Sequence, residues 1–209
     1  MRMKRIVGVL VAGMVVAGPS QVASAQSSNT EVLAFRGFGA TAVFRIIEGC
    51  ITTEVIVVAS ETSAPGQPTG KQDSAAVLLD RRNTDDCGGE TLLFGSGSGP
   101  VKFDVAPRLS SAEVHGVVPV NDTVSGRTLD VAVDVAWTGV GELERSANHF
   151  SFVDDGVVVR VHSNGSARKA TAVGHVVGDT TELVPDGSET DLADIAFSNE
   201  GQVLINRGA

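Results

Sequence analysis

The strongest constraint on the fold of this chain is the strict alternation of Leu129 to Trp137. Leu129, Val131, Val133, Val135 and Trp137 recur at every second position, with Asp130, Ala132, Asp134 and Ala136 between them. A period of two places one set on a core face and the other towards solvent, which is the signature of a half-buried strand and excludes an amphipathic helix. Similar alternation begins at Leu33 and runs through Ala40–Ile47, Ile51–Ser60 and Ser74–Arg81. In the second of these, Val55, Val57 and Ala59 share one face, and Glu54, Ile56 and Val58 the other. That near-continuous apolar run predicts a central strand covered on both sides.

Turn signals punctuate the strands at short spacing. Ser63–Lys71, Asn83–Gly89, Asn121-Asp122 with Ser125-Gly126, and Asp154-Asp155-Gly156 read as connections, and Gly95–Pro100 (GSGSGP) reads as a flexible loop. Asn164-Gly165 has the residues of a two-residue type I′ hairpin, which predicts a reversal between Val157–His162 and Arg168–Val177. Leu192–Phe197 and Gln202–Ile205 read as a closing hairpin around Asn199-Glu200-Gly201, with a short helical turn as the alternative for the first. The sum is an all-β chain: an antiparallel β-sandwich, or a barrel-like relative of one, of roughly ten to twelve strands. No fixed-period repeat is present, which argues against a solenoid or propeller.

The first 25 residues carry a different signal. Arg2, Lys4 and Arg5 precede an apolar run from Ile6 to Ala17, and Ala23-Ser24-Ala25 supplies the small residues that a signal peptidase reads. The expected organisation is a signal peptide over 1–25, a loose segment over 26–32 and a single β-domain over 33–209. A membrane anchor is the weaker alternative, because Gly8, Gly13 and Gly18-Pro19 interrupt a run already short of the roughly 18 to 20 residues needed for a span.

Cleavage would remove three positive charges and no negative one, taking the formal net charge from −9 to −12. Such a chain repels phosphate backbones and anionic headgroups, so nucleic acid and membrane surfaces are excluded as expected partners. The absence of Tyr and the single Trp also weigh against an aromatic platform for sugars or single strands. Cys50 and Cys87 are the only cysteines, and in an exported chain they are expected to form a disulfide worth about 4 kcal/mol in the chain-entropy picture.

Motifs for chemistry are sparse. Gly37-Phe38-Gly39-Ala40-Thr41-Ala42 fits the dinucleotide fingerprint in spelling, but a strand pattern follows it where a helix is required. The frame Gly95-Ser96-Gly97-Ser98-Gly99 centres on glycine, so it is not a nucleophile elbow. His115, His149, His162 and His175 show no zinc-ligand spacing. If Asn164-Gly165 were a turn, His162 would face Ala167 and His175 would lie near Asp154, roughly 20 Å further along the hairpin. No catalytic residue and no cofactor is assigned. The acidic turns offer hard oxygen ligands for calcium, with Asp154, Asp155, Asp186 and Asp191 as candidates, although solvated turn residues are the commoner explanation.

Trp137-Thr138-Gly139-Val140-Gly141, followed by Leu143 and Arg145, resembles a motif in a loose group of uncharacterised exported bacterial β-rich proteins. The similarity spans Ile51 to Val177 and implies a secreted β-rich domain, with no functional residue to carry over. The expectation is a secreted acidic module that binds an extracellular protein or surface component, its working surface being Asp154, Asp155 and the 179–194 segment. One alternative is a secreted hydrolase whose carboxylates, such as Asp130 or Asp134, meet only in the fold. The other is an inhibitor presenting Ser63–Lys71.

Overall fold

In the computed structural model, residues 30–63, 71–154 and 157–206 are described. The stretch expected to be a signal peptide with its cleavage site, most of the Ser63–Lys71 connection, and Asp155-Gly156 lie outside them. The described chain forms ten antiparallel strands: β1 (Thr30–Glu48), β2 (Ile51–Ser63), β3 (Gln72–Asn83), β4 (Thr91–Pro100), β5 (Lys102–Val105), β6 (Ser111–Asp122), β7 (Thr128–Gly139), β8 (Glu144–Asp154), β9 (Val157–Gly178) and β10 (Thr181–Asn206). Apart from these there are two single 3₁₀ turns, Asp85–Cys87 and Pro107–Leu109. The all-β expectation holds.

Strand pairing runs in the order β10-β1-β2-β3-β4-β6-β7-β9, and β10 also pairs with β9, so eight strands complete a ring of hydrogen-bonded neighbours. The arrangement is consistent with the expected antiparallel β-sandwich or its barrel-like relative. The strand β5 is appended to β6 and β8 to β9. The ring's narrowest joint is β4 to β6, held by only the Gly95↔Asp122 and Ser96↔Asn121 positions.

A sheet that closes on itself has one inside, and the alternation of the strands fills it. On β7 the burial follows the sequence period throughout: Leu129, Val131, Val133, Val135 and Trp137 point in, while Asp130, Ala132, Asp134 and Ala136 are exposed. Trp137 donates its indole Nε1–H to the Thr41 carbonyl of β1 at 2.8 Å and meets Phe103 edge-on at 6.5 Å, tying opposed parts of the ring through the core. The indole thus combines a large buried area with a satisfied polar handle. The β9 strand presents Gly174 where a Cβ would stand 2.5 Å from the Phe44 ring, so the small residue makes room for the large one.

Four expectations are corrected. The β2 strand is not covered equally on both sides: Val55, Val57 and Ala59 are buried, whereas Val58 is exposed and Ile56, in register with Val43 and Leu78, is half-buried. The Gly95–Pro100 run is not a loop but the body of β4, paired with β3. Gly95 and Gly97 turn inward against the β6 backbone, and Ser96 and Ser98 face outward.

Asn164-Gly165 is no turn either. Both residues are mid-strand in β9, paired with Asn199 and Ser198 on β10 and with Ala147 and Ser146 on β8. A Cβ on Gly165 would approach Ser146 Oγ to 2.9 Å, so close packing accounts for the glycine. The expected break at Asn199-Glu200-Gly201 is likewise absent, because β10 continues to Asn206 between β1 and β9. In both places two flanking strands satisfy the backbone and override the local turn preference.

The disulfide Cys50–Cys87 is formed, joining the β1–β2 turn to the 3₁₀ turn that follows β3. Thr84 N–H donates to the Cys50 carbonyl at 2.8 Å, so the same two turns are also bonded through the backbone. No helix among the described residues is long and apolar enough to cross a membrane.

Candidate functional site

Trp137, Phe44, Phe103, Leu79, Leu183 and Ile195 are each exposed by 2% or less and belong with the buried valines to one core cluster. Three polar constellations stand out among the described residues, two of them exposed and one buried.

The first lies where β8 pairs with β9. The β8 and β9 strands pair antiparallel with Asp154 opposite Val157, and this register sets His149 directly opposite His162. Their rings meet edge-on, with centroids 4.6 Å apart and planes at 80°, and the two Nδ1 atoms are in hydrogen-bond contact. Both side chains are exposed. They line an open cleft of about 400 Å³ together with Ser151, Arg160 and Val161. On its far side His162 is paired with Gly201 of β10, a position with no side chain to crowd the ring.

The second is a row across the outer face of the ring. Lys102, His115, Asp134 and His175 occupy matched positions on β5, β6, β7 and β9. His115 Nδ1 is 3.0 Å from Asp134 Oδ1 and its Nε2 is 3.9 Å from Glu113, while His175 Nε2 is 3.2 Å from Glu182. All are solvated, and exposed pairs of this kind contribute about 0 to 1 kcal/mol each. Asp134 and His115 have the geometry of half a catalytic dyad. No hydroxyl among the described residues is hydrogen-bonded to either imidazole to serve as a nucleophile.

The third surrounds Asp122, a buried carboxylate at the β4–β6 joint. It accepts hydrogen bonds from Phe94 N–H at 3.3 Å, Val124 N–H at 3.0 Å, Ser125 N–H at 3.2 Å and the Ser125 hydroxyl. Burial by itself would raise the pKa, but the Ser125 hydroxyl and the three amides outweigh it and hold the group below its ordinary range. Every lone pair is spent on closing the ring and its turn, so Asp122 is a structural clamp.

The calcium candidates are not gathered. Asp186 stands on the bulge Pro185-Asp186-Gly187, where β10 slips register against β9 and Gly187 takes a φ of 76°. Asp191 lies at a second register slip between Thr190 and Ala193. Both are exposed. The acidic residues that read as a loop over 179–194 are thus bulges in a long strand, anchored by buried Leu183, Val184, Ala193 and Ile195. Asp154 has its backbone at the end of β8, and Asp155 lies outside the described residues. No group of three or more His, Cys, Asp or Glu placed to hold a metal ion occurs among the described residues.

The histidines depart most from expectation. His162 meets His149, not Ala167, and His175 bonds Glu182 and neighbours Asp134, not Asp154. The sequence does contain the signal that finds the histidine pair: pairing Asp154 with Val157 around the Asp-Asp-Gly turn brings 149 opposite 162. The competing Asn-Gly turn obscured it. The Trp137-Thr138-Gly139-Val140-Gly141 motif is accounted for by packing. Trp137 crosses the core, a Cβ on Gly139 would strike the Leu109 carbonyl at 2.4 Å, and Gly141 has a φ of 71°.

No family model matches the chain, and neither the curated proteins nor the solved structures contain a match to it.

Proposed function

We propose that this protein is a secreted, acidic, non-catalytic binding module that engages its extracellular partner from the outer surface at the β8–β9 end. The observation that carries the reading is the outward-facing cleft between β8 and β9, set beside a core occupied by Trp137, Phe44 and Phe103. There the described cleft combines two imidazoles, a guanidinium and a hydroxyl on a paired, rigid pair of strands. Polar groups of this kind orient a ligand, while a regular sheet holds them in place. The disulfide suits an oxidising compartment.

A hydrolase is the second reading, favoured by the contact between His115 and Asp134. One experiment separates the two. The exported protein is incubated with fluorogenic ester, peptide and glycoside substrates beside its His115→Ala and Asp134→Ala variants. The binding-module reading expects background rates from all three proteins. Turnover by the parent that either variant abolishes would replace it with the hydrolase.

A further inference from the structure

We propose that His149 and His162 form a two-histidine clip for a divalent transition metal of the nickel, copper and zinc group. The clip lies in the cleft where the binding-module reading places its partner and rests on that reading only for its location, because metal uptake is measured with no partner present. Opposed positions on antiparallel strands hold their Cβ atoms about 4.5 to 5.5 Å apart, a span that lets two imidazoles converge on one point. Here they do converge: Nδ1 of one ring faces Nδ1 of the other. Two neutral imidazoles in such contact use one Nδ1–H and one Nδ1 lone pair. If the donor ring moves its proton to Nε2, both Nδ1 lone pairs point into the same space, and the pair becomes a bidentate ligand with no net loss of a proton.

The adjustment in distance is small. Metal–imidazole bonds of about 2.0 to 2.1 Å at tetrahedral or square angles place the two nitrogens about 2.9 to 3.3 Å apart, so the rings need only hinge slightly open. The strands that carry them are well set. The β9 strand is paired on both sides at His162, with His149 on one flank and Gly201 on the other. The register partner on that flank is a glycine, which brings no Cβ towards the ring. Among the described residues, the histidine–carboxylate contacts belong to His115 and His175. Imidazole selects this part of the transition series, whereas calcium and magnesium require oxygen donors. Arg160 lines the same cleft, so an anionic ligand in an open coordination position would meet a second positive charge.

The test is calorimetric titration of the full exported chain with Zn²⁺ and with Cu²⁺, alongside NMR of the ring Hε1 protons. The chain has only four histidines, so each can be followed. The expected result is one ion per chain, with His149 and His162 resonances shifting and His115 and His175 staying in place. His149→Ala and His162→Ala should each weaken binding by roughly tenfold or more, and the double variant should abolish it. Both positions are exposed, and circular dichroism will verify that the variants fold. His115→Ala and His175→Ala should leave the affinity unchanged. Absence of saturable binding up to about 1 mM of either ion, or full binding by a folded double variant, would overturn the proposal.

Discussion

Replacing Gly97 by alanine should test the ring closure more sharply than any change in the apolar core. A Cβ at this position would lie 1.8 Å from the Pro119 carbonyl oxygen and 2.8 Å from both Pro119 C and Val120 Cα. All three are backbone atoms, so no rotamer change relieves the clash. Restoring a contact of 3.4 Å needs the β4 and β6 backbones to part by roughly 1.6 Å at the point where they face each other. The ladder between them is two residue pairs long, so it cannot absorb that separation without breaking. Overpacking costs about 1 to 3 kcal/mol where side chains can repack. Here they cannot, and the expected loss is about 3 kcal/mol or more. With a urea m-value of about 2 kcal/mol per M, the midpoint should fall by about 1.5 M. Ser98→Ala, one residue away on the exposed face, is the control and should stay within about 0.5 kcal/mol of the parent. Equal midpoints for the two variants would refute the close approach of β4 to β6.

Asp122→Asn keeps the shape of the clamp but removes its charge, and should cost about 1 to 3 kcal/mol at pH 7, measured by urea unfolding. Because the folded carboxyl titrates below its ordinary 3.8, its ionised form contributes stability above that pH and loses it as the pH falls through the lower folded value. The difference between parent and variant should therefore narrow below about pH 4, and a gap that stays constant down to pH 2 would refute the assignment. Asp194 is half-buried and raised by desolvation alone, so its ionised form disfavours the fold above the ordinary range. Asp194→Asn should leave stability unchanged or improve it by up to about 1 kcal/mol at pH 7, with the benefit fading in acid. Reduction of Cys50–Cys87 should lower stability by about 4 kcal/mol, since the bridge spans 37 residues; a change below about 1 kcal/mol would show that the unfolded chain is already constrained there.

The parts of the fold legible in the sequence are those in which one residue's neighbours lie close along the chain. The β7 alternation, the β2 core face, the Asn121–Gly126 turn and the pairing of the segments either side of Asp155-Gly156 each needed only local periodicity or local turn chemistry, and each is found in place. The misread glycines share a different origin. Gly95, Gly97 and Gly165 are small because another strand passes within contact distance, and that strand is remote in sequence. Nothing local distinguishes a glycine that needs a positive φ from one that needs an absent Cβ.

The histidine pair shows how one such misreading propagates. If Asn164-Gly165 reverses the chain, residues 157–163 are assigned partners in 166–172, and His162 is sent to Ala167. If the chain instead runs straight, the Asp-Asp-Gly hairpin alone fixes the pairing, and His149 and His162 fall opposite one another thirteen positions apart. The choice between the two is made by β10, which pairs with β9 residue for residue from Val157 to Ala170 and so supplies partners to the stretch that a turn would interrupt. A candidate metal clip on β8 and β9 is therefore a consequence of the length of β10. An insertion that breaks β10 near Asn199 should free the Asn-Gly pair to turn and separate the two imidazoles, even though it alters neither of the strands that carry them.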